Sequence, residues 1–511
     1  MKEDILSSST PAAPPVPLNL PDIQGVIVQG FRSYTHARHF ILHIRPGQAA
    51  GARQFCGDLL PARNGAMSVT PATRWPSGYR PPYTLSFGVS NCGLQKLLGD
   101  EGYATVSGKS YGLFAPFRRP LEDAGGVPGT ATKIGDIDDS APAHWWKNGN
   151  WKLDEPQSNA PLDLLITLYA RDPAGRDRFG EILLSMIPAG TDGLPSVVPA
   201  FVQDSDPLDP PDSIHFGYVD GISQPTIAGY PDPDPSGQEP TPSSAFIINP
   251  DRTSTPQPPY TAHPFLANGC FAAFRLLHQD VKAFEEYLAL SGSDAELVAA
   301  KMCGRWRDGT PLEVSPTGPD PKLSGDARID FAYLSARDGQ QTPPPGPDFD
   351  TTGIRCPYAS HTRRTHPRDD SAVNTNSQVM RERHRVMRRA FAYGPPYATA
   401  PEADRGLVGL FMGASLTDQF EFLMQTWMNT GFFRNPDASP NGSGVDPLFG
   451  PQPSNTSPGA TSFSYLDDNG AYKQVPGTMT RFVRTDGSLY VFLPGMAGLE
   501  HLSNGTIPPG A

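Results

Sequence analysis

Apolar residues along the chain fall into short runs and one-sided stripes, separated by long spacers rich in Pro and Gly. Phe40-Ile41-Leu42-His43-Ile44 and Tyr83–Gly88 read as strands, and Cys92–Leu98 as a short helix. Leu164–Ala170 is a third, strong strand, followed by a helical stretch over Arg176–Met186. The second half repeats the alternation. Cys270–Leu277 is a strand, and Val281, Phe284, Tyr287 and Leu288 mark the apolar face of a helix. Leu407–Met412 is another strand, and Leu416, Phe420, Leu423, Met424 and Trp427 give the next helix its buried stripe. Ser488–Leu493 closes the series after a turn at Asp486-Gly487. His39 and His43 alternate with apolar neighbours and read as strand side chains rather than ligands.

This alternation predicts an α+β protein of two sandwiches, each an antiparallel sheet with helices packed on one face. The pattern alone leaves a parallel α/β sheet open. Composition changes at two places. Ser7–Pro17 is a Ser/Pro/Ala-rich arm, and Tyr230–Pro242 exchanges apolar residues for Pro, Asp and Gly. The expected division is an arm over 1–17, one domain over 18–235 and a second over 236–511.

A chain of 511 residues exceeds what one core serves well, which agrees with two domains. Gly 51 and Pro 58 make about a fifth of it, consistent with a loop-rich globular protein. A net charge of -12 speaks against binding a phosphate backbone, so no nucleic-acid partner is expected. Five scattered cysteines without CxxC spacing offer neither a disulfide framework nor a zinc or iron–sulfur site. No uncharged apolar run approaches the ~18 residues that span a bilayer, and the start lacks an apolar signal region. A cytoplasmic protein is the default expectation, with unconventional secretion as the other route. Monomer and homodimer are both compatible with the sequence.

Four stretches could carry chemistry. The first is His215-Phe216-Gly217-Tyr218-Val219-Asp220-Gly221-Ile222-Ser223-Gln224-Pro225. An Asp before Gly is ordinarily a turn former, but the apolar neighbours of Asp220 would partly desolvate its carboxylate, as a general acid–base requires. The second is Cys356-Pro357-Tyr358-Ala359-Ser360-His361-Thr362-Arg363-Arg364, in which His361 competes with the nearby His366 as a ligand. The third is His384–Arg389, and the fourth Val445-Asp446-Pro447.

In this order the four resemble the signature segments of the dye-decolourising peroxidases, from about Leu18 to the C-terminal strand. The resemblance implies two ferredoxin-like domains with haem b between them. It makes His361 the axial iron ligand and Asp446 the acceptor of that ring's other N–H. It makes Asp220 the distal acid–base and Arg388, in preference to Arg389, the distal cation. Gly221, Ile222, Ser223 and Arg363 would bind the cofactor. The implied activity reduces hydrogen peroxide through an oxoferryl intermediate and oxidises dyes, phenols and other aromatic donors. A haem carrier on the same scaffold is the alternative, although a carrier has no need of Asp220 and Arg388. A metal-dependent hydrolase ranks last, since no H-E-x-x-H spacing occurs.

Two departures stand out. The family usually shows Gly-Leu-x-Phe after the arginine, with Leu and Phe lining the distal pocket; here Gly409 takes the Phe position, which implies a roomier pocket. Ala390 replaces a common Gly. Tyr393, five residues after Arg388, is a candidate relay of electrons to the surface, with packing beside Pro395-Pro396 the plainer reading of it and Tyr397. Trp145, Trp146 and Trp151 are weaker relay candidates. Asp204-Ser205-Asp206 and Asp369-Asp370 could offer oxygen ligands to Mn²⁺, although such acidic runs are commonly just solvated.

Overall fold

The computed structural model describes residues 17–63, 65–119, 129–154, 162–230, 240–251, 258–333, 350, 352–368, 383–430, 444–450 and 462–509. Its strands in chain order are β1 (His36–Ile44), β2 (Tyr83–Val89), β3 (Leu164–Ala170), β4 (Val197–Ser205) and β5 (Cys270–Gln279). There follow β6 (Met387–Tyr393), β7 (Gly406–Gly413), β8 (Ser464–Leu466), β9 (Tyr472–Gln474) and β10 (Val483–Leu493). Eight of them form one sheet in the order β4-β1-β3-β2-β10-β5-β7-β6, while β8 and β9 make a separate hairpin.

Each half of that order is the same arrangement: the half's fourth strand, then its first, third and second. With helices between first and second and between third and fourth strands, both halves are ferredoxin-like β-α-β-β-α-β units. Every pairing is antiparallel, which removes the parallel alternative. The halves meet where Phe492 of β10 pairs with Val89 of β2. The outer edges also approach, since the Asp206 N–H donates to Ala392 O at 3.0 Å. The sheet therefore curls into a barrel. Its interior holds Ile41, Leu165 and Phe201 from one half with Ala272, Phe274, Leu410 and Val491 from the other.

Sequence explains most element ends. The helix Pro173–Ser185 starts at Asp172, whose carboxylate accepts the Gly175 N–H at 2.7 Å, with Pro173 in the first turn. Asp280 does the same for Val281–Ala289 through the Ala283 N–H at 2.9 Å. The expected helix at Cys92–Leu98 runs over Asn91–Lys109, broken at Gly99, whose φ is 72°. The stripe from Leu416 to Trp427 is buried as expected, on wide π-type turns over Thr417–Glu421 and Leu423–Met428. His39 is a buried strand residue paired with Thr167 at 3.1 Å, and burial pushes it down to about 3.

Two strands of the eight-stranded sheet escaped the sequence reading, as did the β8–β9 hairpin. β4 carries Pro199 at a bulge on the sheet edge, where a missing N–H costs least. β6 puts Arg388 and Arg389 on opposite faces, so neither face shows an apolar row. Asp486-Gly487 is not a turn: it is a bulge within β10, between Thr485 and Gly487 opposite Leu277 and Leu276. Of the expected boundary, 231–239 lies outside the described residues. A fully buried ion pair, Arg275 with both oxygens of Asp136 at 2.5 and 2.6 Å, fastens the segment before β3 to β5. Among the described residues no helix is long and apolar enough to cross a membrane.

Candidate active site

His361 opens the five-residue helix His361–Thr365. Its Nδ1 lies 2.8 Å from Oδ2 of Asp446, whose carboxylate is fully buried. The other oxygen, Oδ1, accepts the N–H groups of Leu448 and Phe449, each at 2.9 Å. Burial alone would raise this acid, but the charge and hydrogen bond of His361, with Arg364 and the Phe449 N–H, outweigh it and hold Asp446 below the usual range. With Nδ1 committed, Nε2 is the free ligand atom. It has no hydrogen bond among the described residues, on a side chain 33% exposed.

The His215–Pro225 stretch is a loop, not a hairpin strand. Phe216 and Tyr218 are buried, whereas Asp220 is exposed. The turn is set by backbone contacts: the Val219 N–H donates to Arg307 O at 2.9 Å and the Asp220 N–H to Asp212 O at 2.7 Å. Gly221 has φ +70°, which L side chains avoid, and a Cβ there would meet nothing within 4 Å. Open space therefore adjoins Asp220. The apolar neighbours do not desolvate that carboxylate as expected, because their rings turn into the core on the other side of the turn.

Arg388 and Arg389 separate by strand alternation. The Arg388 Nη2 donates to Ser223 O at 2.9 Å, and its N–H donates to the Gln224 side chain at 3.0 Å. The cation is thus latched to the loop that carries Asp220. Arg389 points to the opposite face and donates to the carbonyls of Val26 at 2.9 Å, Gln29 at 3.1 Å and Ile27 at 3.3 Å. Burial lowers it to about 10.

One apolar cluster joins these pieces. It contains Phe216 and Tyr218 from the Asp220 loop, Ala359 from the His361 segment and Leu448 beside Asp446. Leu407 and Phe411 of β7 pack at its margin, and register places Phe411 directly opposite Arg388. An imidazole backed by a buried carboxylate, with a cation and an exposed acid anchored to the same cluster, suits an iron porphyrin.

No protein-family model matches the chain. It is 31% identical over 319 residues to a dye-decolorizing peroxidase of Mycena epipterygia, covering 57% of this chain and 57% of that protein. It is 32% identical over 301 residues to dye-decolorizing peroxidase AauDyP1 of Auricularia auricula-judae, and covers 55% of it. A crystal structure of a fungal DyP-type peroxidase from Auricularia auricula-judae superposes with a TM-score of 0.69 at 25% identity, over 96% of this chain and 100% of that one. The chain is similar in sequence to dye-decolourising peroxidases and shares the fold of their solved structures. The sequence matches themselves span little more than half the length of these curated relatives.

The structure departs from the sequence expectations in four places. Arg363 is held inside the protein. Its guanidinium is fully buried, donating to Asp350 Oδ2 at 2.7 Å and Cys356 O at 2.6 Å, between the rings of Tyr333 and Tyr358 at 4.3 and 4.0 Å. It braces the segment before His361. Tyr393 is buried, so it offers no surface to a dye. The space at Gly409 is not left open, because Phe411 Cε2 lies 2.7 Å from where a Cβ would stand. Asp204 and Asp206 are occupied by Arg38 at 2.6 Å and Arg176 at 2.7 Å, and Asp369-Asp370 lies outside the described residues.

Sequence reasoning also missed two residues. Arg364 is fully buried and donates to the carbonyls of Trp427, Thr430 and Gly444, tying the His361 helix to the segment that leads into Asp446. Gln224 anchors the strand of Arg388. Neither leaves a local signal, since their partners lie 63 or more residues away.

Proposed function

We propose that the chain is a haem peroxidase that reduces hydrogen peroxide and oxidises dyes, phenols and related aromatic donors, with haem b held through His361. The observation that carries this reading is the His361–Asp446 pair: a buried carboxylate accepts the Nδ1–H hydrogen bond and leaves Nε2 as a strong donor. The relatives named as dye-decolorizing peroxidases support it, as does a structure of such a peroxidase in complex with 2,6-dimethoxyphenol, similar to this chain with a TM-score of 0.68.

Bound haem supplies the redox-active iron at which peroxide is reduced and to which aromatic donors return electrons singly. The chain supplies the rest. Asp446 keeps His361 oriented and electron-rich. Ionised Asp220, beside open space at Gly221, accepts the first peroxide proton and returns it to the departing oxygen. Arg388, latched by Ser223 O, presents positive charge where negative charge develops as the O–O bond breaks. Ile222 holds the loop in place by filling the hollow over Gly309, where its Cδ1 would lie 2.4 Å from an added Cβ.

The test is an absorption spectrum of the purified, haem-loaded chain before and after one equivalent of peroxide, with Asp220→Asn alongside. Conversion should be rapid in the wild type and slower by roughly 10²–10⁴-fold in the variant. A Soret band that peroxide leaves unchanged would mean a haem carrier, and a pyridine haemochrome assay identifies the haem as type b or not.

A further inference from the structure

An aromatic surface bearing arginines interrupts a chain whose net charge is -12. The partly exposed Trp75 stacks on Phe31, with 5.9 Å between ring centroids and 13° between planes, and meets Tyr34 edge-on at 6.0 Å. The chain then turns sharply: the Tyr79 N–H donates to Pro76 O at 3.0 Å, and Gly78 has φ +77°. This turn lifts Tyr79 off the body of the protein and leaves it 53% exposed.

Two guanidinium groups lie by these rings. Arg80 is 6.0 Å from the centre of the Trp75 ring and Arg171 is 5.7 Å from that of Tyr34. Arg171 Nη2 donates to Arg80 O at 2.6 Å and to Pro81 O at 2.9 Å, and Arg80 Nη1 donates to Tyr79 O at 2.8 Å, so both cations are held in place. Both are exposed, and among the described residues neither has a carboxylate partner. Other arginines of this half, Arg38, Arg45 and Arg176, each meet an aspartate. Asp172, next to Arg171, turns its Oδ1 to the Gly175 N–H at 2.7 Å instead. Arg32, beside Phe31, is a third such cation, bonded to Gly221 O at 3.1 Å. Positive charge is thus left without a counter-charge around exposed aromatic rings.

We propose that this surface binds small aromatic anions, rings that carry a sulfonate or carboxylate, with the ring against Trp75 and Tyr79 and the anionic group on Arg80 and Arg171. A guanidinium already fixed by backbone carbonyls keeps further N–H donors for an oxyanion and loses little freedom in using them. Stacking on the exposed rings selects an aromatic body for that anion. An extended polyanion fits less well, because the net charge of -12 repels whatever reaches beyond the patch. The bond from Arg32 to Gly221 O ties the patch to the Asp220 loop. For the proposed peroxidase these ligands are aromatic donors that bear an acidic group; that role rests on the haem reading, whereas binding itself does not.

The test is equilibrium dialysis of the purified full-length chain, without peroxide, against naphthalenesulfonate and its neutral counterpart naphthalenemethanol. Wild type is compared with Arg80→Gln combined with Arg171→Gln, with Tyr79→Ala and, as an exposed control in the other half, with Lys282→Gln. Arg80, Arg171 and Tyr79 are exposed, and glutamine keeps a donor for the carbonyls, so these variants should fold normally. Wild type should bind the sulfonate saturably and more tightly than the neutral ring, and salt should weaken only the sulfonate. The double arginine variant should bind the sulfonate roughly five- to twentyfold more weakly and the neutral ring as before. Tyr79→Ala should weaken both by about threefold, and the control should change neither. Equal sulfonate affinity in wild type and the double arginine variant, or no saturable binding, overturns the proposal. So does displacement of the sulfonate by an equal concentration of an oligothymidylate, which would make the patch a polyanion surface.

Discussion

Nδ1 of His361 and Oδ2 of Asp446 lie 2.8 Å apart, and the carboxylate is held from its other side by two backbone N–H groups, so neither partner can turn away. Asp446→Asn preserves the shape and the Oδ1 acceptor but removes the charge. Haem affinity should fall roughly 10–100-fold and the iron potential should rise, read by haem transfer to apomyoglobin and by a redox titration. An unchanged potential would leave Asp446 a packing role only. The pH dependence follows in sign. Asp446 titrates lower in the folded chain than unfolded, so its stabilisation is present above the unfolded value of ~3.9 and is lost as pH falls through the lower folded value. Acid should therefore release haem and unfold the wild type together, while Asp446→Asn lacks that component.

The two adjacent arginines should fail in different ways. Arg388→Ala removes the cation beside the Asp220 loop and one bond to Ser223 O. It should slow the peroxide step by ~10²–10³-fold with little change in melting temperature. Arg389→Ala leaves the carbonyls of Val26, Ile27 and Gln29 without their donor and should cost ~2–4 kcal/mol of stability. Stopped-flow mixing with peroxide and thermal unfolding separate the pair. The reverse pattern would exchange their roles.

Gly409 is a steric requirement of Phe411. A methyl group at 409 would stand 2.7 Å from the ring, which packs on Phe420 with 5.6 Å between centroids and lies across the ladder from Arg388. Gly409→Ala should cost ~1–3 kcal/mol and, by turning the ring, alter cyanide affinity of the haem-loaded protein. In a Phe411→Ala background the same Gly409→Ala change should cost little. If the single variant melts like the wild type, the ring is not wedged as described.

Glu313 provides an opposite pH dependence. Its carboxyl is buried, pairs with Arg355 at 3.1 Å and leaves Oε2 without a partner. Burial first, and then the Asp350 charge, push it up to about 8. The folded chain therefore binds a proton here that the unfolded chain releases near ~4.3, so stability from this group falls as pH rises from that value through about 8. Glu313→Gln carries no such penalty. Its melting temperature relative to wild type should climb between pH 5 and pH 9, and a flat difference would discard the assignment.

Periodicity and local chemistry were enough to place β3 residue for residue, the strands around Phe40, Tyr83, Cys270 and Leu407, and the buried stripe from Leu416 to Trp427. His361, Asp446, Asp220 and Arg388 were singled out by the resemblance of their segments to those of the dye-decolourising peroxidases, not by periodicity. These are properties of neighbours in the chain, and a sequence displays them directly. What tertiary structure alone decided was which side chains meet. That Arg388 is latched by Gln224 and Ser223 while Arg389 serves Val26–Gln29, and that Arg363 braces Asp350, depends on contacts between distant segments. So does the burial of Tyr393. Strand order and register set those encounters, and neither is written in the spacing of residues along any one segment.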